Sequence, residues 1–152
     1  MTTTHSQVLF LCTGNYYRSR FAEYLFNHYA PEYSLPWQAF SRGLAIEQLK
    51  DDAGPISLHT LQALVKKDIS FGHIRSPISV TEQDLLNAQH IIALKQAEHR
   101  PLVSKNFPAW VERVEYWHVH DVEDEHPEQA LPQIETAVLD LLQRLRHQSS
   151  RE

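Results

Sequence analysis

The longest unbroken apolar run in this chain, Val8-Leu9-Phe10-Leu11-Cys12, is followed at once by the turn residues Thr13-Gly14-Asn15. It falls far short of the about 20 residues that cross a membrane. Its continuity also argues against a strand with one wet face. It reads as a strand buried on both sides, as in a parallel sheet covered by helices, running into a tight turn.

The rest of the chain alternates in the way such a sheet requires. Arg18 to Tyr29 carries Phe21, Tyr24, Leu25 and His28 at helical spacing and stops before Pro31. Trp37-Gln38-Ala39-Phe40-Ser41 forms a second strand, ending at Gly43. Leu58, Leu61, Leu64 and Val65 mark a helix over 57–66 with Ser57 as its cap. Thr81-Glu82-Gln83-Asp84 opens a short helical turn that leads to a third strand, His90 to Leu94, and a helix near Lys95–Lys105. Arg113 to Trp117 is a fourth strand, and Leu131, Ile134, Val138, Leu141, Leu142 and Leu145 define a long last helix. The pattern predicts an α/β fold: three αβα layers around a doubly wound, four-stranded parallel sheet, with the ligand crevice at the carboxyl ends of the strands. No linker, repeat or compositional break interrupts it, so residues 1–152 are expected to form one domain.

Composition narrows the classes. The balance of 14 Lys+Arg against 19 Asp+Glu, a net charge of −5, leaves no basic stripe for a nucleic acid. Met1-Thr2-Thr3-Thr4-His5 lacks the basic start and apolar core of a signal peptide, which leads to the expectation of a cytoplasmic protein with no membrane segment. The single cysteine, Cys12, excludes an intrachain disulfide and a zinc site built on several thiolates.

The chemistry concentrates in Cys12-Thr13-Gly14-Asn15-Tyr16-Tyr17-Arg18-Ser19. A turn between a strand and a helix N-terminus turns backbone N–H groups toward one point, and the helix dipole adds positive potential, so the loop is an anion cradle suited to phosphate. Cys12 lies at its rim, where those donors and Arg18 favour a thiolate, which is a nucleophile for in-line attack at phosphorus. The planar fork of Arg18 is able to hold two phosphate oxygens. Gly14 allows close approach of backbone to anion, and Asn15 tolerates a left-handed conformation. A cysteine ending a strand is more often simple packing. An Arg in the first turn of a helix, however, opposes the dipole and is better explained by an anion to bind.

The stretch Val8 to Ser19 resembles the phosphate-binding loop, or P-loop, of the low-molecular-weight protein tyrosine phosphatases, Cys-x-Gly-Asn-x-x-Arg-Ser near the N-terminus, and matches every fixed position. Chain length and element order agree with that family from end to end. The resemblance implies a phosphoric monoester hydrolase, acting on phosphotyrosine proteins or aryl phosphates without cofactor or metal, as a monomer or weak dimer. It implies attack by Cys12 to form a phosphocysteine, with Thr13, Gly14, Asn15, Tyr16, Tyr17, Arg18 and Ser19 around the phosphate and hydrolysis by water. Ser19 would donate to the thiolate, Asn15 and Ser41 would hold the loop in shape, and Asp121 would be the general acid, with Asp124 its rival.

Departures from that pattern set further expectations. Tyr17 stands where many members carry a second cysteine, Arg20 where the proline after Arg-Ser is usual, and Val122 where a proline follows the acid. The tyrosines that wall the cleft after Asp-Pro are missing, leaving Tyr16 or Trp117 to supply aromatic contact. His118 and His120 flank Val119 and read as half-exposed strand residues rather than a metal pair. Two alternatives stay open: a glutathione-dependent arsenate reductase of the same fold, and a phosphate-binding regulatory module with weak turnover. Arsenate reductases that relay a disulfide along further cysteines are excluded by the lone Cys12, and Arg18 favours hydrolysis over a phosphocarrier role.

Overall fold

In the computed structural model, which describes residues 6–50, 52–122 and 124–150, β1 (Ser6–Cys12) lies inside a four-stranded sheet. It pairs in parallel with β2 (Trp37–Gly43) on one side and with β3 (His90–Ala93) on the other; β3 pairs in parallel with β4 (Glu115–Tyr116), giving the order β2-β1-β3-β4. Val8 to Leu11 are fully buried because both faces of β1 are covered, which is why that run is unbroken in the sequence.

The alternation of side chains along β1 divides the core in two. Val8 and Phe10, with Ile92 of β3, pack on Phe21, Leu25 and Phe26 of α1 (Arg18–Tyr29) and on Ile134, Val138 and Leu141 of α5 (Pro127–Ser150). Leu9 and Leu11, with Ile91 and Ala93, pack on Leu85 of α3 (Glu82–Asn87), Val103 of α4 (Gln96–Asn106) and Trp110. The helices sit where the apolar periodicity places them, and their starts are legible. Ser57 Oγ accepts the His59 amide to cap α2 (Leu58–Lys66), and Thr81 and Asp84 form a reciprocal capping box on α3. The path from β1 to β2 passes α1 on one face, and the path into β3 passes α3 on the other. The carboxyl ends of β1 and β3 therefore form the switch point where ligands bind in doubly wound sheets.

Two segments differ from expectation. The fourth strand is only Glu115–Tyr116, because Pro108–Arg113 winds as a 3₁₀ helix that buries Trp110 and because beyond Tyr116 the chain bends until His118 bridges antiparallel to Lys95. The stretch before α3 carries no periodic signal, yet it runs beside the end of β2. The Gly43 amide donates to the Ile78 carbonyl at 2.8 Å and the Val80 amide to the Gly43 carbonyl at 2.9 Å. These two bonds bring Arg75 beneath the loop that follows β1. Among the described residues no helix is long and apolar enough to cross a membrane.

Candidate active site

The loop between β1 and α1 turns sharply at Asn15, the one residue in it with left-handed backbone (φ 50°), a conformation that asparagine tolerates. Its side chain is buried with all four hydrogen-bonding positions occupied. Nδ2 donates to Ser19 Oγ (3.0 Å) and Ser41 Oγ (2.9 Å), and Oδ1 accepts the Ile78 amide (3.1 Å) and Arg75 Nη1 (2.9 Å). Ser41 Oγ in turn donates to Glu23 Oε1 (2.7 Å) and accepts from Arg75 Nη2 (3.0 Å). Ser19 Oγ lies 2.9 Å from Cys12 Sγ; since it already accepts from Asn15, its own proton is directed to the sulfur. The expected supports Asn15, Ser19 and Ser41 thus form one continuous chain of hydrogen bonds ending on the cysteine.

Close backbone approach is needed at Gly43 as much as within the loop. A Cβ on Gly43 would stand 2.4 Å from Ile46 Cγ2 and 3.0 Å from the Thr13 carbonyl, whereas one on Gly14 would meet the Leu49 side chain at 2.9 Å. Gly14 therefore makes room for the segment that follows β2. Tyr16 and Tyr17 fasten the loop to the chain before and within α2: Tyr16 Oη donates to the Ala53 carbonyl (2.6 Å), its carbonyl accepts the Ser57 amide (2.9 Å), and the Tyr17 carbonyl accepts Thr60 Oγ1 (3.0 Å). The Tyr17 phenol is buried without a hydrogen-bond partner; burial and the neighbouring Asp121 carboxylate push its pKa up to about 12.

Arg18, only 2% exposed, reaches across the carboxyl end of the sheet. Nη1 donates to Glu98 Oε1 (3.1 Å) and to the Val119 carbonyl (3.0 Å), and Nη2 donates to Glu98 Oε2 (2.6 Å). Asp121 Oδ2 stands 3.7 Å from Nη2. Asp124 instead turns to Lys95 Nζ at 3.3 Å and is more exposed (57% against 38% for Asp121). The Asp121 carbonyl accepts the amides of Asp124 (2.9 Å) and Glu125 (3.0 Å), while Asp121 Oδ1 accepts the Val122 amide (2.8 Å). Of the two candidate acids, only Asp121 faces the arginine.

Glu98 and Arg75 carry no signal in the sequence pattern, and Arg20 stands out there only as a departure from the family's proline. Glu98 falls in the first turn of α4, where an acidic residue reads as an ordinary complement to the helix dipole. Its carboxylate also accepts Thr13 Oγ1, and His99 Nε2 lies 3.1 Å from Oε2. Burial would raise the Glu98 pKa, but the donors from His99, Arg18 and Thr13 outweigh it and hold the group well below the usual carboxylate range. Arg20 is fully buried and donates to the carbonyls of Asn15 (3.2 Å), Pro55 (3.0 Å) and Arg75 (2.9 Å), tying three loops together.

The expected aromatic wall is not at Trp117, whose ring packs 5.7 Å from Phe10 and whose Nε1 donates to Glu115 (2.8 Å) in the core layer. His118 and His120 are exposed on either side of buried Val119, and no group of three or more metal-ligating side chains occurs among the described residues.

A sulfur nucleophile hydrogen-bonded to a serine, a guanidinium beside it and a carboxylate across from it constitute the equipment for phosphoryl transfer to and from cysteine. Comparison with known proteins agrees. Residues 7–151 match the family model described as low molecular weight phosphotyrosine protein phosphatase. A protein-arginine-phosphatase from Bacillus subtilis is 26% identical over 107 residues, which is 70% of this chain and 67% of that protein. Among solved structures, YfkJ from B. subtilis superposes with a TM-score of 0.82 at 24% identity, covering 96% of this chain and 98% of its own. A low molecular weight protein tyrosine phosphatase from T. tengcongensis superposes with a TM-score of 0.76 at 22% identity, covering 91% and 99%. The chain belongs to the low molecular weight phosphotyrosine protein phosphatase family and is a cysteine-dependent phosphatase.

Proposed function

We propose that the chain hydrolyses phosphotyrosine in proteins, or related aryl phosphates, in two steps carried by Cys12, Arg18 and Asp121. The Cys12 thiolate attacks phosphorus and the bond from phosphorus to the leaving oxygen breaks. Asp121 gives its proton to that oxygen, while Arg18 and the amides of residues 13–19 hold the equatorial oxygens. Water then attacks the phosphocysteine, Asp121 takes a proton from it, and the thiolate and inorganic phosphate are released. The observation that carries this reading is the convergence of Cys12 Sγ with Ser19 Oγ (2.9 Å) and of Arg18 Nη2 with Asp121 Oδ2 (3.7 Å) at one end of the sheet. In this reading the whole chain acts as one unit, in a reducing compartment where Cys12 stays a thiol.

A second reading, phosphoarginine as the substrate, is favoured by the 26% identical relative named as a protein-arginine-phosphatase and by the absence of tyrosines from Val122-Glu123-Asp124-Glu125. Comparing kcat/KM for one peptide carrying either phosphotyrosine or phosphoarginine separates them. The proposal expects the phosphotyrosine peptide to be preferred and turnover to vanish in Cys12→Ser; a preference for phosphoarginine would transfer the function to the second reading. Failure to turn over either peptide or p-nitrophenyl phosphate at any pH tried would leave a phosphate-binding module.

A further inference from the structure

The five N–H donors of Arg18 divide unequally. Both hydrogens of Nη1 are used, one on Glu98 Oε1 (3.1 Å) and one on the Val119 carbonyl (3.0 Å), and one of Nη2 is used on Glu98 Oε2 (2.6 Å). What is left is Nε–H, buried and without a hydrogen-bond partner, and the second Nη2 hydrogen. These two project in parallel from the same edge of the guanidinium plane, the fork that grips two oxygens of a phosphoryl group. Asp121, 3.7 Å from Nη2, is the one carboxylate apart from Glu98 within ion-pair distance of Arg18 among the described residues.

Resting on the reading that Arg18 holds the transferred phosphoryl group, we propose that Glu98 is a positioning residue for the reaction: by taking the end edge of the guanidinium it presents the Nε–Nη2 edge to the phosphoryl oxygens.

Two further groups stand against the Glu98 carboxylate. Thr13, in the loop, donates to Oε2. His99 is fully buried, and its Nδ1 accepts the Lys95 amide (3.0 Å), so the neutral ring carries its proton on Nε2, 3.1 Å from the same oxygen. Burial, then the charge of Arg18, act to keep His99 neutral and outweigh the nearby carboxylates, so the ring places an N–H rather than a second positive charge beside Glu98. The start of α4 therefore supplies the clamp, and Thr13 of the loop after β1 aims it. Without Glu98, Arg18 would keep the Val119 carbonyl as its hydrogen-bonded anchor and regain much of its rotamer freedom, which a loosely held arginine loses only on binding substrate.

The test uses the full chain and measures kcat and KM for p-nitrophenyl phosphate, and orthovanadate binding by titration calorimetry, in Glu98→Gln, Glu98→Asp, Arg18→Ala and Glu98→Gln/Arg18→Ala. A glutamine offers one acceptor and one donor to an edge that only donates, so the guanidinium must turn. The expected result is a loss of about ten- to a hundredfold in kcat/KM for Glu98→Gln, mostly in kcat, with a parallel loss of vanadate affinity and partial rescue by Glu98→Asp. In the Arg18→Ala background the same substitution is expected to change vanadate affinity by less than about twofold, because non-additivity marks action through a shared residue. Glu98→Gln with wild-type kcat/KM and vanadate affinity would overturn the proposal, as would a full loss repeated on top of Arg18→Ala. Should Glu98→Gln fail to fold, Glu98→Ala replaces it, and an undiminished Glu98→Ala enzyme serves as the contradicting result. Arg18→Ala with wild-type turnover would overturn the underlying reading of Arg18 itself, which the double variant distinguishes from failure of the Glu98 assignment alone.

Discussion

Asp121 and Asp124 share one acidic turn, yet one carboxylate faces Arg18 and the other ion-pairs with Lys95. That difference predicts their variants. Asp121→Asn should lower kcat on a phosphotyrosine peptide by about 10²–10⁴, the usual worth of a general acid, while Asp124→Asn stays near wild type; steady-state kinetics on both decides between them. Cys12 is buried at the rim with tyrosine, not cysteine, at position 17, so oxidation has no intramolecular thiol to capture the sulfenic acid. Mild peroxide should therefore inactivate the enzyme with addition of oxygen at Cys12, and intact mass spectrometry showing a loss of two hydrogens instead would contradict this. The cluster of Cys12, Asn15, Arg18 and Ser19 is readable in the sequence because all four fall between positions 12 and 19, and local chemistry leaves a local pattern. Glu98 is not, because it comes to Arg18 from another strand's crossover and looks in sequence like any acidic first-turn residue.

At the scale of elements, the loop after β1 is braced from beneath by two arginines with different electrostatics. Arg75 is paired with Glu23 at 3.1 Å, whereas the Nη atoms of Arg20 donate to three carbonyls and the Tyr24 hydroxyl, with no carboxylate among the described residues in ion-pair reach. Arg20→Met leaves those carbonyls short of donors and should cost about 2–4 kcal/mol of stability, measured as the midpoint shift in urea unfolding. Gly43→Ala forces a Cβ against Ile46 and the Thr13 carbonyl, and should destabilise by about 1–3 kcal/mol while lowering turnover through the displaced loop. The helices and β1 to β3 followed from periodicity and caps. Two things did not: the shortness of β4, set by a 3₁₀ helix that buries Trp110, and the run of the segment before α3 along Gly43. Both are fixed by tertiary contacts at sheet ends, where local pattern is weakest. Trp117 shows the same limit, since its spacing fitted a cleft wall but its ring completes the core against Phe10.

Across the whole molecule the net charge of −5 opposes binding of a phosphate dianion, so affinity rests on the helix dipole, the loop amides and Arg18 rather than on the overall field. Buried His99 and half-buried His90 give stability a pH dependence of definite sign. Burial lowers the pKa of His99 and of His90 below the ordinary 6.5, so on acidification the unfolded chain takes up protons that the folded chain refuses. Stability contributed by these rings is present above pH 6.5 and lost as pH falls below it. Glu98 has its folded pKa depressed from 4.5, so its contribution is intact above 4.5 and declines only below it. Thermal unfolding should therefore show a falling Tm from pH 7 to 5, with a shallower slope in His99→Gln.

The account stands on a phosphoryl group passing through the Cys12 sulfur. Acid-quenching the enzyme during turnover of p-nitrophenyl phosphate and mapping the modified peptide by mass spectrometry tests that directly. The predicted result is one phosphoryl group on Cys12, accumulating further in Asp121→Asn if water activation is slowed and absent when Cys12 is replaced by alanine. Turnover at the wild-type rate by Cys12→Ala, or a phosphoryl group carried on another residue, would contradict it.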